Sequence, residues 1–461
     1  MSITAAFMVP HPPMIVPEIG RGSEEQITET IRAYEQVADE IAALRPETMI
    51  IVSPHTVMYS DYFHISPGRR AKGSFAQFGA PQVRFSEEYD EELTDRICLL
   101  AAQRHFPAGT LAERDARLDH GTMVPLWFIR QKYEGGKILR IGLSGLPLTD
   151  HYTLGMMLKE AVDALGRKVV LVASGDLSHK LQEYGPYGFA PEGPAYDQRI
   201  MDVCGRGAFG ELFGFDETFC EKAAECGHRS FVIMAGALDG CAVKTQALSH
   251  QDVTGVGYGI CTFRPEGEDP SRHFLSDYLA QAQSRIKEQA AQSDAYVRLA
   301  RKSLETYVRD GRMIKEPADL PEDMKNTRAG AFVSIHKHGK LRGCIGTIAP
   351  TEPTLAMEII RNAVSAATRD PRFDPIEADE LQWLEINVDV LGEPEKIDSI
   401  SQLDVKRYGV IVSCGHRRGL LLPDLDGVDT PQQQVEIAMR KGGIREGEHY
   451  TLERFEVVRH V

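Results

Sequence analysis

Four histidines stand at the ends of apolar runs or in the loops that follow: His11 in VPHPP, His55 in SPHT, His120 in LDHGTMVPL and His179 in SGDLSH. Imidazoles that share a pocket have two chemical uses. Neutral ones bind a transition metal, and unligated ones beside it move protons. Two histidines and one anionic ligand leave coordination positions open for small molecules. Pro10 and Pro12 stiffen the backbone around His11, which suits an imidazole that must point at something and equally suits the plain ending of a strand.

A third ligand could come from AAECGHRSF, where Glu225 and Cys226 are adjacent. Neighbours in a helix point about 100° apart and in a strand to opposite sides, so the two rarely ligate one ion together. A carboxylate would give a hard site, whereas a thiolate suits softer metals. An ordinary helix start with a buried cysteine would read the same way. Asp176 could orient a histidine or cap a helix.

Parallel-sheet architecture would bring such residues together. ITAAFMV, TMIIV, KILRIGL and KVVLVA are apolar on nearly every residue, as strands covered on both faces are. Between them, segments 23–44 and 88–104 carry helical periodicity, with Ile27, Ile31, Tyr34, Val37 and Ile41 on one stripe. Strand–helix alternation predicts an α/β domain with a central sheet over residues 1–265, and ligands of open α/β sheets gather at the carboxyl ends of the strands. The polar, proline-bearing RPEGEDPSR then reads as a linker, and with a connecting helix it fills residues 266–292.

Residues 293–461 read as a second, α+β domain. It opens with an amphipathic helix, DAYVRLARKSLETYVRD, and continues as a β-hairpin in GAFVSIHKHGKLRGCIGTI with its turn at His338–Gly339. Alternation in the returning strand places Arg342 and Cys344 on one face, where they could form an anion-binding thiol site. A glycine-bearing strand with an inward cysteine fits the same residues.

A chain of 461 residues exceeds one ordinary core. Its net charge of −15 argues against binding nucleic acid by bulk attraction to phosphate. Eight cysteines without CxxC spacing are neither a disulfide framework nor a zinc knuckle. No apolar run has the length of a membrane span, and residues 1–20 lack a signal-peptide pattern, so no membrane association and a cytoplasmic location are expected.

VPHPP, SPHT, LDHGTMVPL and SGDLSH, in this order, resemble the class III extradiol ring-cleavage dioxygenases, the LigB-type superfamily that includes the Memo proteins. The resemblance covers residues 1–265. It implies a metal held by His11 and His55, with an acidic third ligand in the dioxygenases and a cysteine in Memo-like members. It also implies His179 as the acid–base residue and His120 beside the metal, facing substrate or oxygen. ECGHRS is similar to the Memo-type pattern, which favours Cys226, with Gly227 letting the backbone turn close to the metal and Glu225 directed to solvent or to Arg229.

KLRGCIGT and AATRDPRFDPI resemble the AMMECR family over residues 293–461. A chain joining both units is similar to members of the AmmeMemoRadiSam group, which implies a radical-SAM protein as partner. The expected activity is that of an Fe(II)-dependent oxidoreductase acting on a small aromatic or protein-borne substrate. Copper and zinc suit the same donors. The rival readings are a Memo-like metal-binding or protein-interaction module and a zinc-dependent hydrolase.

Overall fold

The computed structural model describes residues 3–425 and 427–461. They form two compact units, residues 1–279 and 280–461. Among the described residues no helix is long and apolar enough to cross a membrane.

The first unit is built on β1 (Ile3–Val9), β2 (Thr48–Ser53), a side hairpin of β3 (Arg70–Phe75) and β4 (Ala80–Glu88), β5 (Lys137–Gly142), β6 (Val169–Ser174), β7 (Cys241–Gln251) and β8 (Tyr258–Glu268). The central sheet has the order β5-β2-β6-β1-β8-β7. Its first four strands run parallel, and β8 and β7 add an antiparallel edge.

Alternation assigns the strand residues to two separate cores, one on each side of the sheet. Ala6, Met8, Ile50, Val52, Leu171 and Ala173 pack with α2 (Glu91–Gln103), α4 (Leu148–Leu165), α5 (Glu192–Arg206) and α6 (His228–Ala237). Phe7, Val9, Met49, Ile51, Val170 and Val172 face α1 (Thr28–Leu44) and α3 (His120–Arg130). Double-sided burial is why these strands read as unbroken apolar runs.

The predicted strands and the α/β class are therefore observed. The expected linker is not: Arg264–Glu268 continues β8, pairing with Lys244–Cys241 of β7 around a bulge after Pro265. Pro265 lies beyond the stretch of β8 that pairs with β1, so its missing N–H breaks no ladder there. Asp269 N–H then donates to the Gly240 carbonyl, tying the following turn to the same unit. The two units divide inside α7 (Phe274–Gln292).

The second unit has α8 (Ala295–Asp310), α9 (Leu355–Thr368) and α10 (Pro431–Lys441) beside one sheet. Its strands are β9 (Ala331–Lys337), β10 (Lys340–Gly346), β11 (Leu384–Leu391), β12 (Glu395–Ile397), β13 (Tyr408–Cys414), β14 (Arg417–Leu421) and β15 (Thr451–His460). The order is β10-β9-β11-β15-β13-β14, with β12 also on β15. The β9–β10 turn has positive φ at both His338 (53°) and Gly339 (74°), the conformation that matches the twist of a two-residue hairpin.

Each unit has its own apolar clusters, so each should fold alone. Two overlapping fragments, 1–292 and 280–461, are expected to unfold cooperatively on heating when expressed separately. Non-cooperative melting of either fragment would show that its core depends on the other.

Candidate metal centre

Three neighbouring parallel strands, β2, β6 and β1, end at one level. Val9 pairs with Ser174, and Val52 pairs with Ala173. Two residues beyond these ends come His11, His55 and Asp176, with His179 three residues further on. Adjacent strands lie about 4.8 Å apart, so equal offsets from aligned ends put these side chains into one space.

His11 is buried, and its ring orientation is fixed by hydrogen bonds. Ser174 Oγ donates its one proton to the Gly121 carbonyl at 2.6 Å, so it accepts from His11 Nδ1–H at 2.9 Å. That leaves the His11 Nε2 lone pair facing His55 Nε2 at 2.9 Å and Cys226 Sγ at 3.6 Å. His55 stacks on His120 with ring centroids 4.0 Å apart, and His120 lies 5.4 Å from the His11 ring.

Cys226 lies beside both imidazoles. Donor atoms of His11, His55 and Cys226 all lie within 4.8 Å of one another, as do those of Asp176, His179 and Cys226. Asp176 Oδ1 accepts the backbone N–H of His11 at 2.7 Å, and its own N–H donates to Cys226 Sγ at 3.3 Å. Asp176 therefore braces the histidine loop and does not cap a helix.

Glu225 is elsewhere. It is half-buried and feels the charge of Arg229 without an ion pair to it among the described residues: its Oε2 accepts from the N–H of His228 at 2.6 Å and from the Tyr196 hydroxyl at 3.5 Å. The carboxylate thus satisfies the first turn of α6, which turns it away from His11 and His55. Arg229 instead donates to the Leu146 carbonyl and pairs with Glu217. Gly227 also works differently from expectation. Its φ of −98° is open to any residue. What requires glycine is contact, since a Cβ on Gly175 would sit 2.1 Å from the Gly227 Cα. Two side-chain-free residues let the loop bearing Cys226 press against the end of β6.

Sequence reasoning missed Asp119 and Ser174. Asp119 is the N-cap of α3, accepting from Thr122 N–H at 3.0 Å, and it also accepts from Ser53 Oγ at 2.5 Å. Buried Arg140 approaches it at 3.5 Å. One carboxylate thereby joins the end of β2 to the start of α3, which sets the His55–His120 stack. An aspartate just before an amphipathic stretch was the available signal.

The electrostatics suit a cation. Burial lowers the His11 pKa well below its usual value, aided by the nearby His55, His120 and His179. Desolvation likewise lowers His55, His120 and His179, the last to about 4. The imidazoles are neutral at pH 7, the form that binds metals. Burial also pushes Asp176 up to about 7 and the Cys226 thiol higher than usual. His179 Nε2 is buried with no hydrogen-bond partner among the described residues.

Residues 5–261 match the model of the catalytic LigB subunit of aromatic ring-opening dioxygenase. The chain belongs to the LigB family. Residues 297–460 match AMMECR1, so a LigB unit is followed by an AMMECR1 unit. A Clostridium acetobutylicum protein is 41% identical over 469 residues, covering 100% of this chain and 99% of that protein. A Thermotoga maritima protein is 51% identical over 168 residues, covering 35% of this chain and 97% of its own. A solved structure from Pyrococcus horikoshii is 30% identical, with a TM-score of 0.34, over 36% of this chain and 88% of that one.

In the AMMECR1 unit the shared face expected for Arg342 and Cys344 from simple alternation meets an irregular register. The β9–β10 register skips Arg342, a bulge that interrupts the alternation. Its guanidinium is held by Glu380 at 2.8 and 3.0 Å and by the Asp374 carbonyl at 2.8 Å. Arg342 is thus a structural ion-pair partner. Cys344 Sγ accepts from Ser334 Oγ at 3.2 Å across the hairpin.

Two predictions follow from these contacts. Cys226→Ser should deplete copurified metal far more than Glu225→Gln, measured by elemental analysis after anaerobic purification. The reverse ranking would remove the sulfur ligand. In fragment 280–461, hydrogen bonds from Arg342 and Lys337 outweigh desolvation and hold Glu380 down to about 2. A depressed carboxylate stabilises fully above its unfolded pKa and loses that contribution as the pH falls towards its folded one. Glu380→Gln should cost about 2 kcal/mol at pH 7 and progressively less between pH 4.5 and 2, read by chemical denaturation.

Proposed function

We propose that the LigB unit is a metal-dependent oxidoreductase whose metal is held by His11, His55 and Cys226. The observation that carries this reading is the convergence of those three donors within 4.8 Å, with the His11 lone pair fixed towards them. Fe(II) is the ion expected from the family, and the thiol also suits copper. Such an ion, when bound, supplies Lewis acidity and a redox couple.

The surrounding residues then have distinct tasks. Ser174 fixes the His11 tautomer. Asp176 holds the His11 backbone and the Cys226 sulfur in one frame. His179, with an unpartnered Nε2 beside that frame, takes a proton from a substrate hydroxyl and returns it later. Its lowered pKa keeps it a base at neutral pH. His120, stacked on His55, forms the wall against which an aromatic substrate lies. The substrate is a small aromatic diol or its protein-borne equivalent. Fusion to an AMMECR1 unit supports a modification or maturation role, with a radical-SAM protein as partner.

A second reading has one specific observation in its favour. Cysteine stands where a ring-cleaving site would present a carboxylate, as in a Memo-like metal-binding module without oxygenase chemistry. Oxygen uptake by anaerobically purified, metal-analysed protein on addition of catechols separates the two. His179→Ala should keep its metal and lose about 10²–10⁴-fold in turnover. Loss of metal in that variant would make His179 a ligand. Metal-loaded wild type that consumes no oxygen with any catechol would favour the binding module.

A further inference from the structure

Every N–H from Asp176 to Leu181 finds an acceptor. Leu177 donates to the Gly257 carbonyl at 2.8 Å, His179 to the Ala223 carbonyl at 3.2 Å and Leu181 to the Gly255 carbonyl at 3.2 Å. Asp176 donates to Cys226 Sγ, and Lys180 to Ser178 Oγ at 3.0 Å. Ser178 differs: its N–H goes to Oδ1 of Asp197, a carboxylate on α5, at 2.8 Å. The His179 ring makes no hydrogen bond to the protein among the described residues, and its Nε2 is buried. It lies against Tyr187 with ring centroids 5.1 Å apart. Whereas Ser174 orients the His11 ring, the backbone of the loop aims that of His179.

Asp197 is 2% exposed. Its second oxygen, Oδ2, accepts from Nε2 of His250 on β7 at 2.7 Å. An ionised carboxylate only accepts, so His250 Nε2 carries the proton in either charge state of the ring. This hydrogen bond raises the His250 pKa above its usual value. A neutral hydroxyl or carbonyl could hold one amide without the cost of desolvating a carboxylate. What the carboxylate adds is a charge-assisted bond, shorter and stronger than a neutral one. The fold makes room for it, since a Cβ on Gly257 would sit 2.0 Å from Asp197 Oδ2. Likewise a Cβ on Gly193 would sit 2.4 Å from the Lys180 carbonyl oxygen, so the start of α5 presses directly on the loop.

We propose that Asp197, locked in place by His250, is the positioning residue that aims the His179 imidazole at the metal centre. The inference rests on the site reading above and adds the pair that keeps the proton-transfer group in place. Asp197 acts through the Ser178 N–H and His250 acts through Asp197, so neither is a catalytic residue.

Carbethoxylation of the full chain by diethyl pyrocarbonate, mapped residue by residue by mass spectrometry, tests this. Asp197→Ala should speed modification of His179 about tenfold, because the loop opens more often. Asp197→Asn keeps an acceptor for the Ser178 N–H and should stay within about twofold of wild type. His151 also has a buried Nε2 with no partner among the described residues, so its rate reports general loosening and should not change. The exposed His416 sets the scale of the reagent. Equal acceleration of His179 and His151, or an unchanged His179 rate in Asp197→Ala, would overturn the proposal. Should Asp197→Ala not fold, His250→Ala should still speed His179 about threefold, and no change there overturns it equally. Metal content and oxygen uptake with catechols are measured on the same samples. Asp197→Ala should keep its metal and lose about tenfold in kcat with KM unchanged, and Asp197→Asn should recover most of that loss. Metal-loaded wild type that consumes no oxygen would count against the oxidoreductase reading, while the His179 rates would still decide this one.

Discussion

The common level at which β2, β6 and β1 end is the constraint on which the rest depends. A parallel register with Val9 opposite Ser174 and Val52 opposite Ala173 delivers His11, His55 and Asp176 to one edge of the sheet. A slip of one residue in any of these strands would turn its apolar set to the opposite core and swing its polar residue out of the cluster. Because both faces are packed with helices, that slip would expose or bury the wrong side of a whole strand. The cores, which carry no chemistry, thereby fix the chemical site.

Two braces refine what the register begins. Asp119 ties the end of β2 to the first turn of α3, and the Gly175–Gly227 contact seats the loop of Cys226 on the end of β6. Both are short-range devices that convert helix starts into walls of the site. The histidines they enclose are held neutral by burial, so the cluster has no charge of its own to oppose an incoming cation.

Much of this was legible in the sequence because it is local. An apolar run followed by a polar loop with histidine marks a strand end wherever the chain goes next, and His11, His55 and His179 carry that mark. The choice of Cys226 over Glu225 came from a resemblance. The structure places Cys226 with the histidines because the carboxylate of Glu225 is consumed by the N–H groups of its own helix start. What stayed hidden depends on partners distant in sequence. Ser174 matters through Gly121, 53 residues away, and Asp119 through Ser53, 66 residues away. Arg342 looked free for an anion because strict alternation cannot foresee a bulge, and its partner Glu380 lies 38 residues on. The polar stretch after residue 263 looked like a linker because composition cannot show that β7 has a further row of backbone groups for it to pair with.

The central claim is that two imidazole nitrogens and one thiolate sulfur hold a single metal. X-ray absorption at the edge of the copurified metal measures this directly on the full chain. One sulfur scatterer at about 2.3 Å is expected together with nitrogen neighbours at about 2.0–2.1 Å. A first shell of nitrogen and oxygen alone, with no sulfur, would contradict it.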